Sequence, residues 1–201
     1  MTKIVIDLEW NRPLVGRRVS EGLPGEIIQI GAAKIDDDCN VKDTFDQIIK
    51  PFFYKRINKD IEKLTQITDD DLQKGLPFLE AIEKFKNWCG DDFTLISWGP
   101  DDIIMIERNC DKFGYDRSWL PKSYDVQLMF DDYEMQEDRT WPLNYALYHF
   151  KEKPDGAHNA LADVLSTVLI MKHLDIDAGL EDDYFRTDSI EDESEDPVTK
   201  S

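Results

Sequence analysis

The strongest constraint in this sequence is a pair of acidic residues on the first predicted strand. Residues 3–9 alternate in the period of a half-buried strand, with apolar side chains on one face and Val5, Asp7 and Glu9 on the other. The Cα atoms of the two acids then lie about 6.6 Å apart on one face. Two such carboxylates repel each other and lose hydration, a cost that a shared divalent cation would offset. The alternative is an edge strand whose acidic face is exposed to water.

The order of the remaining predicted elements indicates the fold class. Strands over 26–35 and 41–49, separated by the turn-forming run 36–40, complete an antiparallel three-strand meander. Helices are predicted over 60–64, 77–88, 101–113, 142–150 and 160–174, and strands over 93–98 and 123–129. This order predicts an α/β fold in which a mixed central sheet, made of the meander plus parallel strands, is flanked by helices.

Length and charge predict one folded domain with an acidic tail. The chain has 201 residues, and the segment 181–201 contains nine acidic and two basic residues. We expect a folded domain over 1–178 and a disordered tail over 179–201. The net charge is −19, of which −12 belongs to residues 1–180. This balance argues against a conventional basic nucleic-acid-binding module and against membrane association.

The cysteines and the first residues suggest a cytoplasmic protein. The three cysteines are odd in number, widely spaced and without a C-x-x-C pair, so they indicate neither a disulfide framework nor a zinc site. The first ten residues lack the apolar region and cleavage site of a signal peptide. The sequence does not indicate an oligomeric state.

A third carboxylate is expected where the strand over 93–98 turns into the next helix. On a helical wheel Asp102 shares its stripe with Ile106 and Cys110, whereas Asp101 lies on a more polar side with Met105. Asp102 should therefore point inward, and Asp101 is more consistent with an N-cap. The alternative for both acids is helix capping and favourable interaction with the helix dipole.

A fourth carboxylate and a histidine lie near the start of the last long helix. Small residues surround Asp163, which would let the helix approach a sheet closely and leave this carboxylate partly buried. His158 falls just before the first helical turn, where an imidazole could accept a proton. The alternative is a solvated loop histidine.

Taken together, these motifs resemble those of the DEDDh (DnaQ-like) 3'-5' exonucleases. The resemblance rests on D-L-E at 7–9, W-G-P-D-D at 98–102 and H-N-A-L-A-D at 158–163. The last two motifs, and L-T-Q-I-T at 64–68, are most similar to the exoribonuclease branch related to Eri-1 and the KapD-like proteins. The resemblance runs from residue 3 to residue 174 and implies the family's ribonuclease H-like fold, with which the predicted element order agrees.

The resemblance also implies a catalytic constellation. The metal-binding acids would be Asp7, Glu9, Asp102 and Asp163, and His158 would be the general base. In this family such acids hold two divalent ions, Mg²⁺ or Mn²⁺, which activate the attacking water and stabilise the leaving 3'-oxygen. The product would be a nucleoside 5'-monophosphate released from the 3' end of single-stranded nucleic acid, with RNA favoured over DNA.

We expect substrate contacts around these acids and along a basic segment. The candidate substrate-binding residues are Leu8, Trp10, Asn11, Thr65 and Trp98, with Trp10 either stacking on a terminal base or packing in the core. Further candidates are Arg139, Trp141 and Asn144. Residues 50–59 combine four basic side chains, Lys50, Lys55, Arg56 and Lys59, with three aromatic ones. They either track a nucleic-acid strand or form an ordinary charged surface.

Two other functions are consistent with the sequence. The same chemistry could act on DNA, because no residue identifies a 2'-hydroxyl reader. Alternatively, the fold could serve as a non-catalytic acidic scaffold whose tail engages a basic partner. The presence of all five expected catalytic side chains counts against the scaffold, because a fold alone does not require four inward carboxylates and a base.

Overall fold

The computed structural model describes residues 1–14, 16, 20, 22–136, 139–153, 159–181 and 186–187. The strands are β1 (Thr2–Asn11), β2 (Glu26–Ile35), β3 (Val41–Lys50), β4 (Leu76–Pro77), β5 (Phe93–Ser97), β6 (Ser123–Asp125) and β7 (Arg186–Thr187). The helices are α1 (Lys59–Thr65), α2 (Asp69–Lys74), α3 (Phe78–Cys89), α4 (Asp101–Phe113), α5 (Val126–Phe130), α6 (Leu143–Phe150), α7 (Ala160–Met171) and α8 (Ile176–Glu181). One π-helical turn, Asp131–Met135, follows α5.

The strands form one mixed sheet in the order β4-β3-β2-β1-β5-β6-β7. The meander of β1, β2 and β3 is antiparallel, whereas β5 pairs with β1 and β6 pairs with β5 in parallel. The α/β class and the mixed sheet are therefore as predicted. None of the helices in the described part of the chain is long and apolar enough to cross a bilayer.

The two faces of β1 belong to two different cores. Ile4 and Ile6 pack with residues of α3 and α4 on one face. Val5 packs with residues of α5 and α7 on the other, including Val164 and Val168. Because side chains alternate along a strand, Asp7 and Glu9 project on the same side as Val5. The acidic pair thus faces the helix that carries the fourth acid.

Two local predictions were wrong. The strand predicted over 123–129 ends at Asp125, whose side chain accepts the backbone N–H groups of Gln127 and Leu128 and so starts α5. Asp101 is the first residue of α4 and the N-cap position is held by Pro100, so Asp101 is not the N-cap. The expected boundary between the folded domain and the tail stays a prediction. Residue 178 lies within α8 and β7 pairs with β6, whereas residues 182–185 and 188–201 lie outside the described part.

The start of α7 rests directly on the backbone of β2. A Cβ atom at Gly31 would overlap the backbone of Ala160 and Leu161, so no other residue fits there without moving the helix. Gly31 is the register partner of Asp7 on β1. This close approach therefore brings the first turn of α7 next to the acidic pair.

We expect Gly31→Ala to displace the start of α7. Because the added methyl group meets backbone rather than a movable side chain, the free energy of unfolding should fall by about 1–3 kcal/mol, and the activity implied by the resemblance should fall with it. Urea denaturation and an activity assay measure both effects. Gly114→Ala is the matched control, since its left-handed backbone adds strain at a site with no close neighbours. Unchanged activity in Gly31→Ala would contradict the proposed role of the contact.

Candidate active site

Three carboxylates converge where β1 meets the start of α7. Asp7, Glu9 and Asp163 are each half-buried, and one carboxylate oxygen from each lies within 4.8 Å of the others. Oxygen ligands at this spacing are the kind that Mg²⁺ and Mn²⁺ prefer. The alternative of a solvent-exposed edge strand does not apply, because β1 is an inner strand between β2 and β5.

A fourth carboxylate reaches the same region from α4. Asp102 is 5% exposed, and its Oδ1 accepts the backbone N–H of Leu8 at 2.9 Å. This bond fixes the start of α4 against β1 between the two strand acids. Asp101 is exposed, so the predicted inward orientation of Asp102 over Asp101 is confirmed.

Burial and like charge together set the electrostatics of the acidic cluster. Burial, followed by the charges of Asp102 and Asp163, raises the pKa of Asp7 well above its ordinary value. Burial and the charge of Asp163 raise the pKa of Glu9 to about 7. Burial is also the main cause of the raised pKa of Asp102. Bound divalent cations would remove this cost, so the donor set fits a metal site.

A buried glutamine positions the helix that carries Asp163. Gln29 on β2 is 1% exposed, and its Oε1 accepts the backbone N–H of Ala160 at 3.2 Å. Its Nε2 donates to Asp46 on β3 at 2.8 Å. The side chain of Asn159 accepts the N–H of Ala162 and caps the same helix. Sequence reasoning missed Gln29, although its register position opposite Glu9 identifies it once the strands are paired.

Asn11 was predicted to bind substrate, and the structure gives its side chain another task. The side chain is fully buried, and its Nδ2 donates to the carbonyl oxygens of Tyr54 at 2.8 Å and Arg56 at 2.9 Å. Its Oδ1 accepts the N–H of Asn58 at 2.9 Å. The side chain thus anchors the loop after β3, and a substrate contact by Asn11 stays a prediction.

Leu8 and Thr65 are also buried, at 3% and 4% exposure. The Thr65 hydroxyl donates to the carbonyl of Ile61 at 2.9 Å and accepts the N–H of Ile67 at 3.1 Å. These bonds shape the end of α1, so a direct substrate contact by the Thr65 hydroxyl is not supported. Leu8 contributes its backbone N–H to Asp102 instead.

The two candidate tryptophans are half-buried and packed. Trp10 lies against the core on the α4 side, close to Gly25. Trp98 donates its indole N–H to the carbonyl of Trp141 at 3.3 Å and packs against Phe130. Both keep part of their surface accessible, so their contact with substrate stays a prediction.

Three of the remaining candidates lie near α5 and α6, and the predicted base lies outside the described residues. Asp125 is buried and accepts the N–H of Gly99 at 2.9 Å, which is a structural role. The guanidinium of Arg139 lies 3.5 Å above the ring centroid of Trp141, and Asn144 is exposed. His158 falls within the segment 154–158, which the structure does not describe.

The fold and the convergent acids together define a class of protein, the metal-dependent nucleases of ribonuclease H-like fold. The sequence model of the exonuclease family RNase_T matches residues 4–171. The chain belongs to this exonuclease family, and it is a 3'-5' exonuclease of the DEDDh type, as its motifs predicted.

Individual relatives agree with this assignment. The chain is 25% identical to the probable 3'-5' exonuclease KapD of Bacillus subtilis over 177 residues, which cover 87% of this chain and 84% of KapD. It is 28% identical over 90 residues to DNA polymerase III PolC-type of Staphylococcus haemolyticus, a match to 45% of this chain and 6% of that protein.

Solved structures share the fold at lower sequence identity. The nuclease domain of 3'hExo, a DEDDh family member bound to rAMP, superimposes with a TM-score of 0.77 at 17% identity, covering 94% of this chain and 97% of that domain. Escherichia coli Exonuclease I in complex with a dT13 oligonucleotide gives a TM-score of 0.66 at 16% identity, covering 86% of this chain and 40% of that protein.

We expect Glu9→Gln to stabilise the metal-free protein at about pH 8 and to leave its stability unchanged near pH 4. Folding raises the pKa of Glu9 from 4.5 to about 7. Such an acid does not lower the free energy of unfolding below its unfolded pKa, and it lowers this free energy by the full penalty above its folded pKa. Wild type therefore loses stability relative to the variant as the pH rises through this interval. Urea denaturation in EDTA at both pH values measures the difference.

Asp91→Asn, which removes an exposed acid, is the control and should show no comparable gain. At the higher pH, added Mn²⁺ should make wild type more stable than Glu9→Gln, because the wild-type site binds the ion more tightly than the site of the variant. A variant no more stable than wild type in EDTA at the higher pH would contradict the electrostatic account.

Proposed function

We propose that this chain hydrolyses single-stranded nucleic acid from its 3' end by a two-metal mechanism, releases nucleoside 5'-monophosphates and prefers RNA. The observation that carries the proposal is the convergence of Asp7, Glu9 and Asp163 within 4.8 Å, with the buried Asp102 beside them. Charges crowded in this way cost stability, and a catalytic metal site gives a physical reason to keep them.

The four carboxylates are the residues that would hold the metal ions. When bound, two divalent ions supply Lewis acidity that activates water and stabilises charge on the leaving 3'-oxygen. Asp7 and Glu9 are presented by a rigid inner strand, and Asp102 is oriented by the N–H of Leu8. Asp163 is oriented by α7, whose start is held by Gln29 and Gly31. The protein thus fixes its ligands before substrate arrives.

His158 is proposed as the group that accepts the proton of the attacking water. In the sequence it immediately precedes Asn159, the N-cap of α7, and it lies five residues before Asp163. Imidazole is the side chain best suited to accepting a proton near neutral pH.

The preference for RNA is supported by the relatives and is the finer part of the proposal. The structure with the TM-score of 0.77 was solved with rAMP, and another similar structure is that of a 3'-exonuclease recognising histone mRNA stem-loop. Exonuclease I, whose structure contains a dT13 oligonucleotide, superimposes with a lower TM-score of 0.66. The match to the DNA polymerase III PolC-type protein covers only 45% of this chain. The W-G-P-D-D and H-N-A-L-A-D motifs point to the same RNA branch.

A cytoplasmic location is proposed as well. Cys39, Cys89 and Cys110 are all buried and free. Free buried thiols are usual in a reducing compartment.

We expect a metal-dependent ladder that shortens from the 3' end when matched 5'-labelled RNA and DNA oligonucleotides are incubated with the protein. Cleavage should require Mn²⁺ or Mg²⁺, should cease in EDTA, and should be faster on RNA. Asp7→Ala removes a metal ligand and controls for contaminating nucleases, because it should abolish cleavage while folding is kept or improved. Faster cleavage of DNA would overturn the RNA preference. No cleavage of either polymer would favour the acidic scaffold.

His158→Ala should lower kcat by roughly 10²–10⁴-fold and leave metal affinity unchanged, because a general base acts on water rather than on the ion. Turnover of labelled RNA measures the first quantity, and isothermal titration with Mn²⁺ measures the second. A large loss of metal affinity would instead make His158 a ligand. Replacement of His173, an exposed histidine paired with Glu152, should change neither.

A further inference from the structure

An open groove of about 840 Å³ lies beside the end of β3, away from the four acids. Its walls include the side chains of Phe52, Phe53, Phe78 and Phe113, and we refer to it as the phenylalanine groove. Phe52 is 62% exposed and belongs to a continuous apolar wall, and such patches often mark binding sites. The active-site proposal does not use any of these residues.

The aromatic walls pack against one another. The ring centroids of Phe78 and Phe113 lie 4.6 Å apart in a stacked arrangement, and those of Phe53 and Phe113 lie 5.3 Å apart. Phe52 meets Phe53 edge to face at 5.0 Å. A flat ring entering the groove would therefore find several phenyl surfaces fixed by their neighbours.

The loop that carries Phe52 and Phe53 is held rigidly from behind. The buried carboxylate of Glu26 accepts the backbone N–H groups of Phe52, of Phe53 at 2.9 Å and of Tyr54 at 2.7 Å. The Asn11 side chain also bonds this loop. A groove built in this way is formed before any ligand binds, so little ordering cost opposes binding.

The charge of the groove is opposite to that of the protein. Its eleven lining residues include Lys50, Lys55 and Lys112 and no acid, in a chain with 43 acidic and 24 basic residues. The Lys55 Nζ lies 5.8 Å from the ring centroid of Phe52, and the Lys112 Nζ lies 5.4 Å from that of Phe53. Cations interleaved with aromatic faces match the alternating phosphates and bases of a single strand.

Helix α4 joins the groove to the active site. Asp102 lies in its first turn and Phe113 is its last residue, a span of about 17 Å at 1.5 Å per residue. At about 3.4 Å per nucleotide, this distance corresponds to roughly five nucleotides of a stacked strand. A strand whose 3' end occupies the acids could therefore reach the groove with an upstream segment.

We propose that the phenylalanine groove binds single-stranded nucleic acid about five nucleotides upstream of the scissile end. Bases stack on Phe52 and its neighbours, and Lys50, Lys55 and Lys112 contact the phosphates. This inference rests on the proposed function. It resolves the conflict between nuclease activity and a net charge of −19, because affinity comes from one local cationic surface rather than from the whole protein.

The test compares a trinucleotide with a dodecamer of the same RNA sequence. Only the dodecamer is long enough to reach the groove. Phe52→Ala should lower kcat/KM on the dodecamer about tenfold relative to the trinucleotide, as the loss of one stacked base predicts. The exposed Tyr148 is the matched aromatic control, and Tyr148→Ala should leave the ratio of the two rates unchanged.

A second variant tests the charges. In Asp7→Ala protein, which does not degrade the probe, a fluorescent dodecamer is titrated at several salt concentrations. Adding both Lys50→Ala and Lys55→Ala to this protein should weaken its binding of the dodecamer. The slope of log K against log salt should become smaller by about 1.4, because each lost phosphate contact on a single strand contributes about 0.7. Lys172→Ala, which removes an exposed lysine on another face, should not change the slope.

The outcomes separate the two proposals. Wild-type protein that cleaves neither RNA in Mn²⁺ refutes the proposed function, and the binding titration still tests the groove. Cleavage of both lengths with no length-dependent loss in Phe52→Ala overturns the groove proposal alone. An equal loss of kcat/KM on both lengths in Phe52→Ala also overturns the groove proposal. So does a titration in which the protein binds an acidic phenylalanine-containing peptide through Phe52 and does not bind RNA.

Discussion

The close packing of α7 on β2 is the contact on which the whole site depends. At Gly31 the helix backbone touches the strand backbone, and this position is the register partner of Asp7. A side chain at this position would separate the helix from the sheet, and Asp163 would then be held away from the strand acids. The small residues at the start of α7 and the buried Gln29 serve the same approach. Backbone packing between α7 and β2 thus sets the positions of the acids, and their electrostatic interactions follow from these positions.

The second constraint is the repulsion that this packing creates. Burial and like charge raise the pKa values of Asp7 and Glu9, so above those pKa values the folded state carries a cost that a bound counter-charge removes. A cation bound at the site would therefore stabilise the fold and, in the proposed mechanism, enable the chemistry by the same interaction. The acidic surface elsewhere would in addition repel the phosphates of a nucleic-acid substrate. The phenylalanine groove has three lysines and no acid among its lining residues, and we propose that it attracts the substrate despite this repulsion.

Sequence reasoning was strongest where one residue pattern has one physical meaning. The alternation around Asp7 and the wheel position of Asp102 predicted the orientation of both acids, because side-chain direction follows from backbone period alone. It was weaker where polar residues have two possible uses. Asn11 and Thr65 were assigned to substrate, yet both are buried and bonded to backbone groups. Likewise, an Asp125 cap ended a strand that apolar periodicity extended to residue 129.

By itself, the sequence determined the α/β class, the order of the longer strands and helices, and the family, because periodicity and short motifs are local properties of the chain. Only the tertiary structure decided which residues meet. The role of Gln29 depends on the register between β1 and β2, and the phenylalanine groove joins residues 50–55 to residues 112 and 113 across the fold. Such relations arise from packing between distant segments, and no local pattern records the distance between two elements that fold together.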